Sequence, residues 1–489
     1  MNSSCHQRVF LFYPPGGLFQ RGEDRCQSNV DASASTSMRA PNDLAYIAAA
    51  CKQRNWDVFC RDYQTEKATT EDVTADLKGF NPTVLFLSTT NTTVHDDLEF
   101  LRLLKAMAPD AIILVKGAIF FDPPPDLLTE LNLDGIDYLI GGECEFITDR
   151  IIDAHHHPDR LNRLADIPGI LYRNPNGQWQ KTAFNQWCGD LDALPIPDRY
   201  AINNALYTRP DIGVPMATIV TARGCPSGCV FCQTPIISGR SLRVRSPENI
   251  LEELRDCYHK HGIREFFFRA DTFTFDADWV MRVCKIIDES ELGGKISWAA
   301  NSRVRPLELK TLQAMKRSGC WLVAFGFESG DPDSLKQMKK GVSVEDNYRA
   351  ARLARQAGLK TFGFYLIGFP WETKEHLQAT RAMMFKNNCD FVELHLAVPF
   401  YGTPLYDLAG NAGLLGEEST VGKDYFSAPS IGTKYLTREE LQRFHKRTLL
   451  QYHLRLRFIS RKLLCAVSKP KVLCNYARFG WRLIKNCLK

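Results

Sequence analysis

The sequence predicts an α/β protein: an N-terminal doubly wound parallel sheet, then a partial or full (β/α) barrel, then a helical C-terminal region. Three observations carry that prediction. Short apolar runs alternate with helical patterns from about residue 8 to 154. The same alternation resumes from residue 216 to about 407, after a stretch punctuated by Pro and Gly. From Leu441 to Lys489 there are 13 Lys or Arg and no Asp or Glu, so against a total of +5 the preceding residues carry −8. The basicity belongs to the tail.

In the first region the strand candidates are residues 9–13, 58–61, 83–88, 111–115 and 138–140. Helical patterns fall at 43–54, 71–77, 96–107, 126–131 and 145–154. This spacing is that of a Rossmann or flavodoxin-like sheet, which binds ligands at the carboxyl ends of its strands. Those ends are small and polar here: Pro14-Pro15-Gly16-Gly17, Ser88-Thr89-Thr90-Asn91-Thr92, Lys116-Gly117-Ala118 and Gly141-Gly142-Glu143. Such residues let a bulky, hydrogen-bonding ligand approach the backbone.

Residues 156–215 read as a linker containing a hairpin, with arms at 169–173 and 179–182 around Asn176-Gly177. The boundaries expected are therefore 1–155, 156–215, 216–410 and 411–489. In the third region the predicted strands are 216–221, 265–268, 295–300, 321–327, 361–366 and 391–397. Ser246-Pro247-Glu248 opens a helix by N-cap, first-turn proline and early acid.

The stretch with the most specific chemistry follows the first of these strands: Arg223-Gly224-Cys225-Pro226-Ser227-Gly228-Cys229-Val230-Phe231-Cys232. Cys225, Cys229 and Cys232 can converge on one iron–sulfur cube and leave its fourth iron without a protein ligand. A structural zinc site is the alternative, but no Cys or His pair follows at a matching distance to complete it.

The loop resembles that of the radical SAM superfamily, including Phe231 just before the last cysteine. The resemblance implies a TIM-type barrel and a 4Fe-4S cluster whose open iron is chelated by S-adenosyl-L-methionine (SAM), cleaved to a 5′-deoxyadenosyl radical. It also implies a flavodoxin- or ferredoxin-type electron donor. On the same resemblance Phe231, Asp271, Arg303, Glu328, Ile367 and Gly368 are the SAM-contacting candidates. Gly326-Phe327-Glu328-Ser329-Gly330 matches a fourth-strand motif, and the segment from Gly363 to Glu372 resembles an adenine motif. Glu372 reads equally well as an acid at a helix N-terminus.

By order and position, the first region resembles the cobalamin-binding domain that precedes many radical SAM domains, as in class B radical SAM methyltransferases. Ser88, Thr89, Thr90, Gly117, Gly141 and Glu143 are then the cobalamin candidates. The Asp-x-His-x-x-Gly motif that ligates cobalt from below is missing, so the resemblance implies a cobalt without a histidine ligand. The alternative is a domain that keeps the fold without the cofactor.

What this implies is methylation of an unactivated carbon, with cyclisation or rearrangement as the second enzyme reading. A redox-sensing or zinc-binding protein is the non-enzyme reading. Val472, Tyr476, Phe479, Leu483 and Cys487 share one helical face, and Arg478, Arg482, Lys485 and Lys489 the other. A helix from 437 to 467 is expected before it. Such a basic amphipathic helix suits peripheral contact with the inner surface of a membrane, and with it a lipid or other hydrophobic small-molecule substrate. Nucleic acid is a weaker reading, since no RNA-binding module accompanies the charge. No apolar run approaches the ~20 residues of a spanning helix. The chain is expected to be cytoplasmic, with its 16 cysteines reduced.

Overall fold

Strand–helix alternation builds two parallel sheets whose strand ends face a common interface. The structure is a computed structural model that describes residues 6–22, 29–31, 37–184, 187–416, 428–467 and 470–488. The first sheet comprises β1 (Arg8–Tyr13), β2 (Asp57–Asp62), β3 (Val84–Ser88), β4 (Ile112–Lys116), β5 (Tyr138–Ile140), β6 (Ile170–Arg173) and β7 (Trp179–Lys181), in the order β2-β1-β3-β4-β5-β6-β7. Strands β1 to β5 are parallel. The central strands read as continuous apolar runs because helices cover both faces. Val9, Leu11 and Tyr13 pack toward the helices Asn42–Gln53 and Thr148–His155, while Phe10 and Phe12 pack toward Thr70–Phe80 and Val94–Met107.

The hairpin read as part of a linker is instead the far edge of this sheet. Strand β6 pairs antiparallel with β5, and β7 with β6. An uncovered β5 would present unpaired backbone groups, and the hairpin removes that edge. The first sheet therefore runs on through Lys181, past the boundary expected at residue 155.

The second sheet has β8 (Met216–Val220), β11 (Glu265–Arg269), β12 (Ser297–Ser302), β13 (Cys320–Glu328), β14 (Lys360–Ile367) and β15 (Phe391–Leu396). All six are parallel and adjacent in chain order, and β15 does not pair with β8. This is a six-stranded open barrel. Between β8 and β11 lie two short strands, β9 (Ala222–Arg223) and β10 (Arg243–Val244), paired antiparallel. The free edge of β8 is covered by side chains: the Thr218 carbonyl accepts from Asn42 Nδ2 and Arg199 Nη2, each at 2.8 Å.

Three C-terminal helices follow: Arg438–His453, Leu456–Ala466 and Pro470–Leu488. The single helix expected over 437–467 breaks at Leu454-Arg455, where Arg455 takes extended dihedrals. Its guanidinium stacks on Tyr452 and Phe385 and donates to the Phe385 carbonyl, and this anchors the turn. The last two helices lie across the gap between β15 and β8. Lys462 Nζ sits 3.5 Å from the centre of the Phe391 ring on β15, and Asn475 donates to the carbonyl of Asp211, just before β8. Among the described residues no helix is long and apolar enough to cross a membrane.

Candidate active site at the mouth of the open barrel

Gly224 makes the cysteine loop possible. Its φ is +84°, and a Cβ there would lie 2.0 Å from the Ser241 carbonyl oxygen, so no side chain is tolerated. Its N–H donates to Asp271 Oδ2 at 2.6 Å, which ties the loop to the end of β11. Further on, Val230 N donates to the Met338 carbonyl (3.1 Å) and the Val230 carbonyl accepts from Leu405 N (2.9 Å). Val230 itself is buried with Leu335, Met338, Phe369 and Leu405 beneath the loop.

Cys225, Cys229 and Cys232 line one wall of a single cavity of about 770 Å³ that runs down the barrel. Cys229 Sγ accepts from Arg303 Nη1 at 3.7 Å, and Cys232 Sγ from Thr234 N at 3.4 Å. Among the described residues no group of three His, Cys, Asp or Glu side chains is gathered as a metal-ion site. As a donor set, three thiols on one loop at the wall of one cavity suit a cube with one iron left open. Gln233 Oε1, buried in the same wall, has no hydrogen-bond partner and offers an acceptor to a polar ligand.

The other SAM candidates divide. Phe231, Asp271, Arg303 and Glu328 all line the cavity. Glu328 ends β13 at φ +62°, a strained setting for a non-glycine residue. Its Oε1 accepts from Lys340 Nζ at 2.6 Å, and a Cβ on Gly326 would fall 2.4 Å from that oxygen. Arg303 Nη2 donates to the Lys340 carbonyl. Nothing in the sequence distinguishes Lys340 from a solvated loop lysine, yet it joins β12 to β13.

Ile367 and Gly368 are not in the wall. Burial alternates along β14, so that Phe362, Phe364 and Leu366 face the cavity and Ile367 packs outward in the core beneath the helices. The strand's period of two places Leu366, one residue earlier, on the inner face. Gly368 takes φ +94° and donates its N–H to Glu372 Oε2 at 2.7 Å. Glu372 also accepts from Phe369 N (3.2 Å) and Ser334 Oγ (3.0 Å). It is neither an exposed helix-terminal acid nor a cavity group, but a buried carboxyl that closes the turn after β14. Burial raises its pKa to about 7, against the lowering effect of those three donors.

Deeper in the barrel the wall becomes apolar. Ala299, Ala324 and Gly326 leave room on β12 and β13, facing Phe362, Phe364 and Leu366 on β14 and Phe391 on β15. Phe362 stacks on Phe364 (4.6 Å between centroids), and Phe364 on His395 (5.9 Å). Glu393 and His395 (3.1 Å apart) are the polar pair on this side, and no motif in the chain marks them.

The first sheet's strand ends are packed differently. Ser88 Oγ donates to Asp43 Oδ2 (2.5 Å), Thr89 Oγ1 to Asp97 Oδ2 (2.6 Å), and Thr90 Oγ1 lies 2.9 Å from Thr93 Oγ1. Arg21 forms a buried pair with Asp97 (2.6 and 3.1 Å) and donates to the Ser88 carbonyl (3.0 Å). The three expected hydroxyls are therefore committed within the protein. Thr92, two residues on, has a buried Oγ1 with no partner and is the better candidate donor to a ligand. Gly117 and Gly141 admit no side chain: a Cβ would meet the Thr89 methyl at 2.7 Å and the Phe120 carbonyl oxygen at 2.4 Å. Glu143 pairs with Arg243 (2.6 and 2.9 Å), and Glu145 with Arg223 (2.7 and 3.2 Å), so this turn clamps the first sheet to the cysteine loop. Burial pushes the Glu145 carboxyl upward, but Arg223 outweighs it and holds the group well below the usual carboxylate range.

Fold and site together define a two-sheet α/β enzyme, with a cysteine loop at the mouth of a parallel barrel and a nucleotide-type domain clamped against it. The comparisons agree. Residues 219–384 match the model of the radical SAM superfamily, and residues 37–150 that of the B12 binding domain. An uncharacterized methyltransferase of Pyrococcus horikoshii is 29% identical over 85% of this chain and 88% of its own. The anaerobic magnesium-protoporphyrin IX monomethyl ester cyclase of Cereibacter sphaeroides is 24% identical over 82% of this chain and 65% of its own. The structure of the radical SAM methyltransferase TsrM from Kitasatospora setae superposes with a TM-score of 0.61 at 18% identity, covering 83% of this chain and 76% of that one, and shows a shared fold. The chain thus carries a radical SAM domain over residues 219–384, preceded by a B12-binding domain over residues 37–150. The radical SAM domain implies a 4Fe-4S cluster and SAM, and the B12-binding domain implies cobalamin.

Proposed function

We propose that this enzyme methylates an unactivated carbon of an apolar small molecule. The observation that carries the reading is the single cavity that the three cysteines share with the aromatic wall of β14 and β15. Cys225, Cys229 and Cys232 would hold the cluster. Asp271, Arg303, Glu328, Phe231 and Gln233 would hold SAM: carboxylates facing its ammonium and hydroxyls, and a guanidinium facing its carboxylate. Thr92 and the Gly141-Gly142 turn would hold cobalamin. Loaded with these groups, such a site cuts unreactive C–H bonds and supplies methyl. The chain's own part is to orient substrate along Phe362, Phe364 and Leu366 and to keep water from the reacting carbon.

Anaerobic reconstitution with cobalamin and methyl-deuterated SAM tests this. Labelled methyl in a product, together with 5′-deoxyadenosine, is expected. Formation of 5′-deoxyadenosine with no methyl transfer favours ring closure, the second reading, for which the cyclase relative speaks. If neither appears, both readings fall.

A further inference from the structure

The barrel cavity does not end in protein. Among the residues that line it, Leu454, Ile459, Leu463, Leu473 and Ile484 are also exposed, and all five lie on or beside the last two helices. They form an aliphatic mouth where the last two helices cross the gap between β15 and β8. Beside it stand four more apolar side chains that line nothing: Leu456 (86% exposed), Val467 (81%), Leu464 (76%) and Trp481 (70%). A cluster of this size left in water marks an interaction surface. Lys471, Arg478 and Lys485 are exposed on the same hairpin, and no acid lies in the chain from Leu441 onward.

The charge decides among occupants. Two copies of this face brought together would set cation against cation, which disfavours a symmetric dimer. An acidic protein would answer the cations but not the Trp and aliphatic groups around an open apolar cavity. An anionic bilayer answers both, with acyl chains for Leu456, Leu464, Val467 and Trp481 and headgroups for the basic residues. The inner face of the same hairpin continues the cavity through Tyr476, Phe479 and Leu483.

We infer that the C-terminal hairpin docks the enzyme on an anionic membrane, and that the substrate is a bilayer-dissolved molecule that enters the barrel through the mouth between these helices. This rests on reading the cavity as the substrate site, but its tests need no turnover.

The full chain, purified anaerobically, is sedimented with vesicles of phosphatidylcholine alone or mixed with phosphatidylglycerol. Binding should be at least ~tenfold tighter to the mixed vesicles and should weaken with salt. Leu464→Glu combined with Trp481→Glu should lose ~tenfold or more of that binding, with iron content and 5′-deoxyadenosine formation in solution unchanged. A pyrene-labelled fatty alcohol dissolved in the vesicles reports entry. The native chain should extract it, and Ala324→Trp, which fills the cavity, should bind vesicles normally yet extract ~tenfold less. No preference for anionic vesicles, or self-association abolished by Trp481→Glu, overturns the docking. Vesicle binding with no extraction overturns the entry route. Failure of methyl transfer alone touches only the methylation reading.

Discussion

The two parallel sheets obey the same rule and fill the resulting space in opposite ways. Each presents its strand ends to the interface between them. In the first, Asp43 takes the Ser88 hydroxyl, Asp97 (paired with Arg21) takes that of Thr89, and Thr93 that of Thr90, so the polar groups satisfy one another. In the second, Ala299, Ala324 and Gly326 leave a void, and the polar groups at its rim face that void. A strand end with small polar residues is thus permission for a site; the neighbouring side chains decide whether it is left open.

The largest expected effect tests the open end. Cys229→Ala should reduce bound iron to background in anaerobically reconstituted protein and abolish 5′-deoxyadenosine formation, because two thiolates do not hold a cube. Retention of full iron would move the cluster elsewhere. Next comes the clamp between the two ends. Arg223→Ala takes the guanidinium away from the buried Glu145 carboxylate, leaving Lys116 as the nearby cation, and should cost ~3 kcal/mol in denaturant unfolding. A loss below ~1 kcal/mol would mean that the carboxylate reaches water and the sheets are not held this way. Smaller again is the closed end. Thr92→Val removes an unpartnered buried hydroxyl and should stabilise the cofactor-free protein by ~1 kcal/mol, while weakening retention of hydroxocobalamin on a desalting column. Unchanged retention would take Thr92 out of the cofactor's reach.

Much of this was legible in the sequence, and the failures share a cause. The strands of both sheets are runs long and apolar enough to be placed within a residue or two, and the cysteine loop declares itself by spacing. For Ile367 the motif gives a neighbourhood, whereas facing is set by strand parity, which turns Leu366 to the cavity and Ile367 to the core. Lys340, Glu393, His395 and Gln233 carry no signal at all: they become cavity residues only once distant strands are side by side. The hairpin at β6 and β7 was seen, but nothing local says which sheet it extends. Ser88, Thr89 and Thr90 look like available donors in the sequence because nothing there shows that Asp43, Asp97 and Thr93 turn their side chains onto them.

The smallest effect separates two buried carboxyls by the pH at which each is felt. Glu372, raised by burial to about 7 from an ordinary 4.5, binds a proton in the folded protein that it releases on unfolding between those values. Its contribution is fully present below pH 4.5 and is lost as pH rises through about 7, with a slope of at most ~1.4 kcal/mol per pH unit. Glu372→Gln keeps an acceptor for Gly368 and Phe369, turns an amide donor toward the Ser334 hydroxyl that Glu372 accepts from, and cannot titrate. Its unfolding free energy relative to the native chain should therefore climb across that window and level off above it. Glu145 runs the other way: its depressed carboxyl stabilises above its ordinary pKa, and that stability is lost only as pH falls below it. The two windows meet near pH 4.5 without overlapping, so a climb confined to the neutral side belongs to the turn after β14 and one on the acid side to the clamp. A flat difference between Glu372→Gln and the native chain from pH 4.5 to 7 would show that water reaches Glu372, and the turn beside the cavity would then be open rather than sealed.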